Sequence, residues 1–433
     1  PVVVQQARAL IGRGHARLGV GDINGALDDY GDATARDVTS MEARLALADG
    51  YRLKAAQGHG EGFDTAQSTY AETIAILRAG PDSNLQRELI GRAYAGRGDL
   101  FLQRYLVRRH EADLTRARGD FEDAVEADSQ NVLALVGRAA IYAQAPASYQ
   151  RAVADLDRAA RLSPADSEIY RARGDLFTLM GDDERAMRDY DQSLQLGGAQ
   201  TYRTHFQRGL IYLAAGDYVR AEQSFATAEA LARHGQAPPG EDPAFAIAEA
   251  LAMRSRATWN MIDLPGYVAQ DIALRARNFA DEAASLQPGQ ARYHAGRCLT
   301  RSVAGGEWNV AERACNDAIE LARRAGDGAQ LSEALGATGM LHLRWALSQA
   351  PNGAAEATHL QAAASFLAQA VDADRASDPQ ALSRSALYRY AQGVALECLG
   401  RTIEANGFMR AALNADRSVE AKFLSHRIRH CRA

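Results

Sequence analysis

The sequence predicts an all-α fold, a right-handed α-solenoid of about ten helical hairpins ending in a C-terminal capping helix. Three observations carry this prediction. Gly174, Phe177, Gly181, Ala186, Tyr190 and Ser193 recur at identical spacing about 35 residues on, as Gly209, Tyr212, Gly216, Ala221, Phe225 and Ala228; a period of that length marks stacked helical hairpins. Aromatic residues make up only 7% of the chain while alanine is abundant, a composition suited to helices packed closely through small side chains. At 433 residues the chain exceeds one ordinary core, and a stack avoids that limit because each repeat buries surface only against its neighbours.

The elements follow in order from the two anchor copies. A first repeat covers about 5–38, with Gly14, Gly21, Ala26, Tyr30 and Ala33 at the anchor spacing. A second, near 41–79, carries Gly50, Ala66 and Tyr70, with its turn enlarged at 57–62. A third starts near Asn84 with Gly91 and Tyr94 and resumes at Ala117, Phe121 and Ala124. Between these lies an arginine-rich, helix-compatible insertion at about 98–113. A fourth has Gly137, Tyr142, Ala152, Leu156 and Ala159, and the fifth and sixth are the anchors. The Pro/Gly stretch at 235–243 is the strongest break, so it divides an N-terminal array, 1–234, from a C-terminal array, 244–417, as a hinge.

Beyond the break, repeat seven spans Pro265 and closes with Ala276 and Ala283; repeat eight has Gly296, Ala311, Cys315 and Ala318. Repeat nine has Gly339 and longer helices, repeat ten has Gly393, Gly400, Ala405, Met409 and Ala412, and 418–433 forms the cap through Val419, Phe423 and Leu424. The prolines test this division independently. Pro81, Pro146, Pro164, Pro238, Pro239, Pro243, Pro265, Pro288, Pro351 and Pro379 all fall in turns or at helix starts. A proline in a helix interior costs ~3 kcal/mol or more. Two helix axes ~8–10 Å apart admit only Gly, Ala or Ser where they approach most closely, so Gly174→Leu should overpack that contact.

Net charge is −5, too modest to imply nucleic-acid or membrane binding by itself. Lys54 and Lys422 are the only lysines; the plain explanation is coding bias, the sharper one a use of arginine's fork for carboxylate or phosphate. The four cysteines, Cys298, Cys315, Cys398 and Cys431, contain no C-x-x-C pair and are expected to be buried free thiols, although two disulfides are possible. No apolar run approaches the ~18 residues that span a bilayer. The chain begins at Pro1 without Met or an apolar leader, which leaves a periplasmic and a cytoplasmic location both open.

The order of small and large residues in these copies resembles the tetratricopeptide repeat (TPR) family, most specifically in repeats one, five, six and ten. The resemblance implies a non-enzymatic scaffold whose first helices line a groove for a segment of a partner protein. In the family's register the groove-facing residues include Arg8, His15, Lys54, Arg92, Arg138, Arg171, Asp175, Arg203, Phe206, Tyr293, Arg297, Arg301, Arg344 and Tyr390. The second helices are acidic, as at Asp28-Asp29, Glu122-Asp123, Asp155, Asp157, Asp189 and Asp191. An arginine-lined groove for an acidic segment is therefore the sharper expectation. Pairing of these arginines with acids of neighbouring repeats is the plainer one. The family's clamp for chaperone C-termini has Lys and Asn where Arg171/Asp175 and Phe206/Leu210 stand here, so that role is disfavoured.

Rival classes have less support. The sequence lacks the G-x-S-x-G, H-E-x-x-H, Walker and dinucleotide-binding motifs, so an enzyme is not expected and neither is a cofactor. His426, His430 and Cys431 have metal-ligand spacing, but a polar cap face explains them as well; His110, Glu111 and Asp113 are weaker still. An RNA-associated helical repeat is disfavoured by the acidic balance. A sensor whose curvature changes on binding ligand is compatible with the break at 235–243.

Overall fold

The computed structural model describes residues 2–56, 61–197, 201–237, 241–262, 268–301, 307–348, 353–377, 382–420 and 423. Among the described residues there are twenty α-helices, one short 3-10 turn and no strand. The chain forms two compact units, Pro1–Thr204 and His205–Ala433.

The first unit stacks hairpins α1 (Val2–Gly19) with α2 (Ile23–Arg36), α3 (Met41–Ala56) with α4 (Glu61–Ala79), α5 (Asn84–Arg108) with α6 (Glu111–Ala127), α7 (Val132–Tyr142) with α8 (Tyr149–Leu162), and α9 (Ser167–Leu179) with α10 (Asp183–Gln195). Helix α11 (Thr201–Ala214) runs through the division between the units and pairs with α12 (Tyr218–Arg233). The second unit continues with α13 (Pro243–Asn260) and α14 (Ala269–Leu286), α15 (Ala291–Arg301) and α16 (Trp308–Ala325), α17 (Gly328–Ser348) and α18 (Ala354–Ser377), and α19 (Leu382–Cys398) and α20 (Thr402–Ala415). The units divide at 204/205, whereas the Pro/Gly stretch at 235–243 lies within the second unit. Its residues 238–240 lie outside the described residues. On either side of it α12 and α13 pack together through Phe225, Met253 and Ala257.

The anchor pattern becomes contact. A methyl group added at Gly174 would sit 2.7 Å from the Tyr190 ring, and one at Gly209 2.6 Å from the Phe225 ring. Gly14 against Tyr30 and Gly393 against Met409 repeat the arrangement at 2.4 and 2.6 Å. Tyr30, Tyr190 and Phe225 are fully buried. The absent side chain is what lets the large ring of the second helix lie on the backbone of the first. At the hairpin turn Gly181 adopts φ +73°, which costs a residue with Cβ, and Asp182 then caps α10 by accepting from the Arg185 N–H.

Four repeats keep a different register from the sequence reading: Gly50 meets Leu27 and Tyr30 of the preceding hairpin, Gly98 rather than Gly91 meets Phe121, and the fourth and eighth repeats differ as follows. Gly137 packs against Phe121 of the preceding hairpin, and Gly296 meets nothing within 4 Å. Arg138 donates to Asp155 as Arg173 donates to Asp189, which puts buried Ala139 in the place of Gly174. In the eighth hairpin Cys298 of α15 and Cys315 of α16 meet across the two helices, and they form a disulfide with Cα atoms 5.1 Å apart. Cys398 is also disulfide-bonded. The expectation of free thiols is thus corrected: Cys298 and Cys315 lie on facing helices at bonding distance, within the range a disulfide spans.

The insertion at 98–113 lengthens α5 into one helix of 25 residues, and the chain turns at Arg109 in the left-handed conformation. Among the described residues every proline lies outside helix interiors; Pro146 opens the 3-10 turn and Pro243 is the first residue of α13, next to the cap Asp242. Pro265, Pro351 and Pro379 lie outside the described residues, as does most of 418–433, including Leu424, His426, His430 and Cys431. Of that segment Val419 and Phe423 are buried, and Phe423 packs on Tyr390 at 5.3 Å.

Candidate functional site: the first-helix face

Many arginines of the first helices are held by the chain's own carboxylates. One set closes four of the five hairpins of the first unit. Arg13 of α1 forks onto Asp29 of α2, Arg97 of α5 onto Asp120 of α6, Arg138 of α7 onto Asp155 of α8, and Arg173 of α9 onto Asp189 of α10. Each fork lies one residue from the close approach of the two helices, and the aspartates are buried. Asp29 is held below the usual carboxylate range, chiefly by its hydrogen bond from Arg13. At Asp120 burial outweighs the Arg97 fork and pushes the carboxyl up.

A second set ties consecutive hairpins. Arg92 of α5 donates to Asp49 of α3 at 2.6 Å, and Tyr70 of α4 donates to the other oxygen of Asp49 at 2.5 Å. Arg52 of α3 reaches Asp99 of α5, whose carboxyl burial pushes up. In the fifth hairpin Asp175 accepts from Arg171 and from Tyr190, and burial pushes it up while Arg171, Tyr190 and Arg203 pull it down. The first hairpin breaks this pattern, because His15 stands where Asp49 and Asp175 stand. The Tyr30 hydroxyl is consequently buried without a hydrogen-bond partner, and its pKa is raised to about 12 by that burial. Tyr30 instead packs edge-on against the His15 ring at 5.6 Å.

Beside His15 the first helices of the N-terminal unit enclose a cleft of about 370 Å³. Ile11 of α1, Leu85 and Leu89 of α5 and Val132 of α7 give it apolar walls. Glu42 of α3, Glu88 of α5 and Asp128 supply carboxylates, with His15, Arg92 and Asn131 as the other polar groups. Glu42, Glu88 and His15 are exposed. Arg92 is already committed to Asp49, so carboxylates dominate the charge a ligand would meet in the cleft.

The structure separates the groove residues expected from sequence. Arg92 lines the cleft, but Arg138 belongs to a hairpin fork, and Arg171 pairs along its own helix with Glu168 and Asp175. Arg203 is exposed near Asp175, and Phe206 stacks edge-on against Phe225 at 5.4 Å. In the second unit Tyr293 and Tyr390 are core residues at 2% and 3% exposure, and Arg344 is buried. These three were expected at the surface and are packed inside instead: Tyr293 lies against Ala248, Leu251 and Ala283 of the preceding hairpin, Tyr390 lies in the C-terminal core, and Arg344 lies over the Trp259 ring. Arg297 and Arg301 converge on Asp281, with Arg277 nearby and Glu307 as a second carboxylate, so three guanidinium groups share two acids. Among the described residues no group of three metal-ligating side chains occurs, and no helix is long and apolar enough to cross a membrane. Asp113, weighed with His110 and Glu111 as a ligand, accepts from Arg104 at 2.5 and 2.8 Å.

The recurring forks had a signal in the sequence that the groove register passed over. Arg13-Gly14 with Asp29-Tyr30 and Arg173-Gly174 with Asp189-Tyr190 are the same two dipeptides, 16 residues apart in both cases. Nothing comparable marks Glu42 and Glu88, which meet only through stacking of separate hairpins.

No family model matches the sequence, and no curated protein matches it. Among solved structures the fold is similar to the apo form of the quorum sensor NprR from B. thuringiensis, at 13% identity and a TM-score of 0.57, over 85% of this chain and 97% of that one. It is also similar to TTC0263, a thermophilic TPR protein from Thermus thermophilus, at 21% identity and a TM-score of 0.35, over 44% of this chain and 91% of that one. Human IFIT1, solved as a dimer with m7Gppp-AAAA, matches at 15% identity and a TM-score of 0.41, over 93% of this chain and 88% of that one.

Proposed function

We propose that this chain, a tetratricopeptide-repeat solenoid in sequence pattern and fold, is a non-enzymatic scaffold that takes a segment of a partner protein on the first-helix face of its N-terminal unit. The observation that carries the proposal is the cleft between α1, α3, α5 and α7, with apolar walls and exposed carboxylates at Glu42 and Glu88. Such a surface suits a segment that buries an aliphatic or aromatic side chain and sets a basic group beside it. An acidic segment would have to displace Asp49 from Arg92 first. The test is capture of partner from lysate of the native source by wild type and by Leu89→Arg, followed by identification of the cross-linked segment. Loss of capture in a variant with unchanged helix content supports the proposal, and undiminished capture refutes it.

A second reading, an acidic partner segment, is favoured by one observation in the second unit: among the described residues Arg277, Arg297 and Arg301 share the two carboxylates of Asp281 and Glu307, which leaves one positive charge in excess. Arg277→Glu with Arg297→Glu should abolish capture at that place and leave capture through the first unit intact.

A further inference from the structure

The ninth hairpin holds two histidines that face each other, His342 buried and His359 half-buried. His342 of α17 and His359 of α18 bring their Nδ1 atoms to 3.0 Å. The ring centroids are 5.3 Å apart and the planes are 24° from parallel. That centroid separation is the nitrogen gap plus one ring radius at each end, so the two nitrogens lie on the line between the ring centres. The rings therefore meet edge to edge and nearly coplanar, which is hydrogen-bond geometry. A tetrahedral zinc would need both Nδ1 lone pairs to converge on one point off the line between the rings, whereas these nitrogens point at each other along it, and among the described residues no third ligand joins them. One Nδ1 must carry the proton and the other must offer its lone pair.

Parallel rings surround the pair. Phe366 lies 5.5 Å from His342, and Trp345 lies 4.1 Å from His359 and 5.6 Å from Trp308. These rings exclude water from His342, which is buried. The charged groups around it are few. Glu312 of α16 stands 4.0 Å from His342 Nε2, on the side away from the shared proton. Glu356 lies one turn before His359 on α18, and Arg344 of α17 is turned to the Leu299 carbonyl and the Trp259 ring.

We propose that His342 and His359, joined through one shared proton, form a latch that closes the ninth hairpin at neutral pH and releases when acid makes both rings cationic. A proton on one ring alone leaves the bond intact, because the other neutral ring can still offer its Nδ1 lone pair; once both rings are imidazolium both Nδ1 atoms are donors, and the 3.0 Å attraction becomes a contact between two cations. Burial and the neighbouring imidazole push His342 down to about 4, and burial pushes His359 down against the pull of Glu312. Both folded values lie below the unfolded histidine value of ~6.5. The latch is therefore intact above that pH and is lost as pH falls from there toward 4.

Trp345 and Trp308 report the event directly. Indole emission of the full chain is followed from pH 8 to pH 4 together with far-UV circular dichroism. The expected result is one reversible emission step between pH 6.5 and 4 with helix content retained. His342→Gln/His359→Gln keeps a side-chain hydrogen bond and cannot take a proton, so it should lack the step. A step that persists in this variant, or that coincides with loss of helix, overturns the proposal. Should the variant fail to fold, nitrogen NMR of wild-type imidazoles at pH 7.5 decides: one protonated and one bare Nδ1 supports the latch, and two bare Nδ1 atoms overturn it.

Discussion

Arg92 donates to Asp49 of the preceding hairpin at 2.6 Å, and that carboxylate also receives the Tyr70 hydroxyl at 2.5 Å. One aspartate thus joins a second helix, its own first helix and the next hairpin. Asp49→Ala strands the Tyr70 hydroxyl in the core and leaves Arg92 without its acid. Loss of such a partner typically costs ~1–3 kcal/mol. Thermal unfolding of the variant should show a lowered midpoint, with Asp49→Asn recovering part of it.

Gly174 and Gly296 make opposite predictions for the same residue type. Gly174→Ala drives a methyl into the Tyr190 ring at 2.7 Å, and overpacking of this kind costs ~1–3 kcal/mol. Gly296 is inside α15 with open space at its Cβ, so Gly296→Ala should stabilise by ~0.5–1 kcal/mol. Denaturant titration of the two variants side by side checks both signs.

Reduction should loosen the second unit. The Cys298–Cys315 bridge closes a loop with a sequence separation of 17, and a crosslink of that span is worth ~3 kcal/mol in the chain-entropy account. A reductant is expected to lower the unfolding midpoint of the wild-type chain. Peptide mapping under non-reducing conditions should recover the α15 and α16 peptides joined.

Acid should weaken the hairpin forks in a defined window. Asp29 and Asp113 are held below the ordinary carboxylate value of 3.8 by Arg13 and Arg104 respectively. Their folded values lie below the unfolded ones, so their contribution is present above pH ~3.8 and is lost as pH falls through the folded values. Asp29→Asn/Asp113→Asn should therefore flatten the acid limb of stability below pH ~4 while leaving the histidine-dependent emission step unchanged.

The hairpin architecture was legible because the close approach of two helices restricts residue size, and that restriction is written as Gly174 with Tyr190 and Gly209 with Phe225. Where the small residue is Ala139 or Cys298, the nearest glycine misled the register, since alanine and cysteine carry no comparable mark. The plainer expectation for the arginines, pairing with neighbouring acids, holds at Arg92 and Arg301. It was hard to choose from sequence because Asp49 and Asp281 lie far from their partners along the chain. The cleft was only half legible: His15 and Arg92 stood among the groove residues, while Glu42 and Glu88 face it through the angle between hairpins, which no local pattern encodes.

The ties from Arg92 to Asp49 and from Arg52 to Asp99 run lengthwise along the stack and are partly wetted. Dissolved ions shield such pairs, so the spacing of successive hairpins in the first unit should relax as salt rises. A binding curve measured against ionic strength would then record two changes together, the screening of the visitor and the bending of its host. Scattering by the isolated protein over the same salt series would tell them apart.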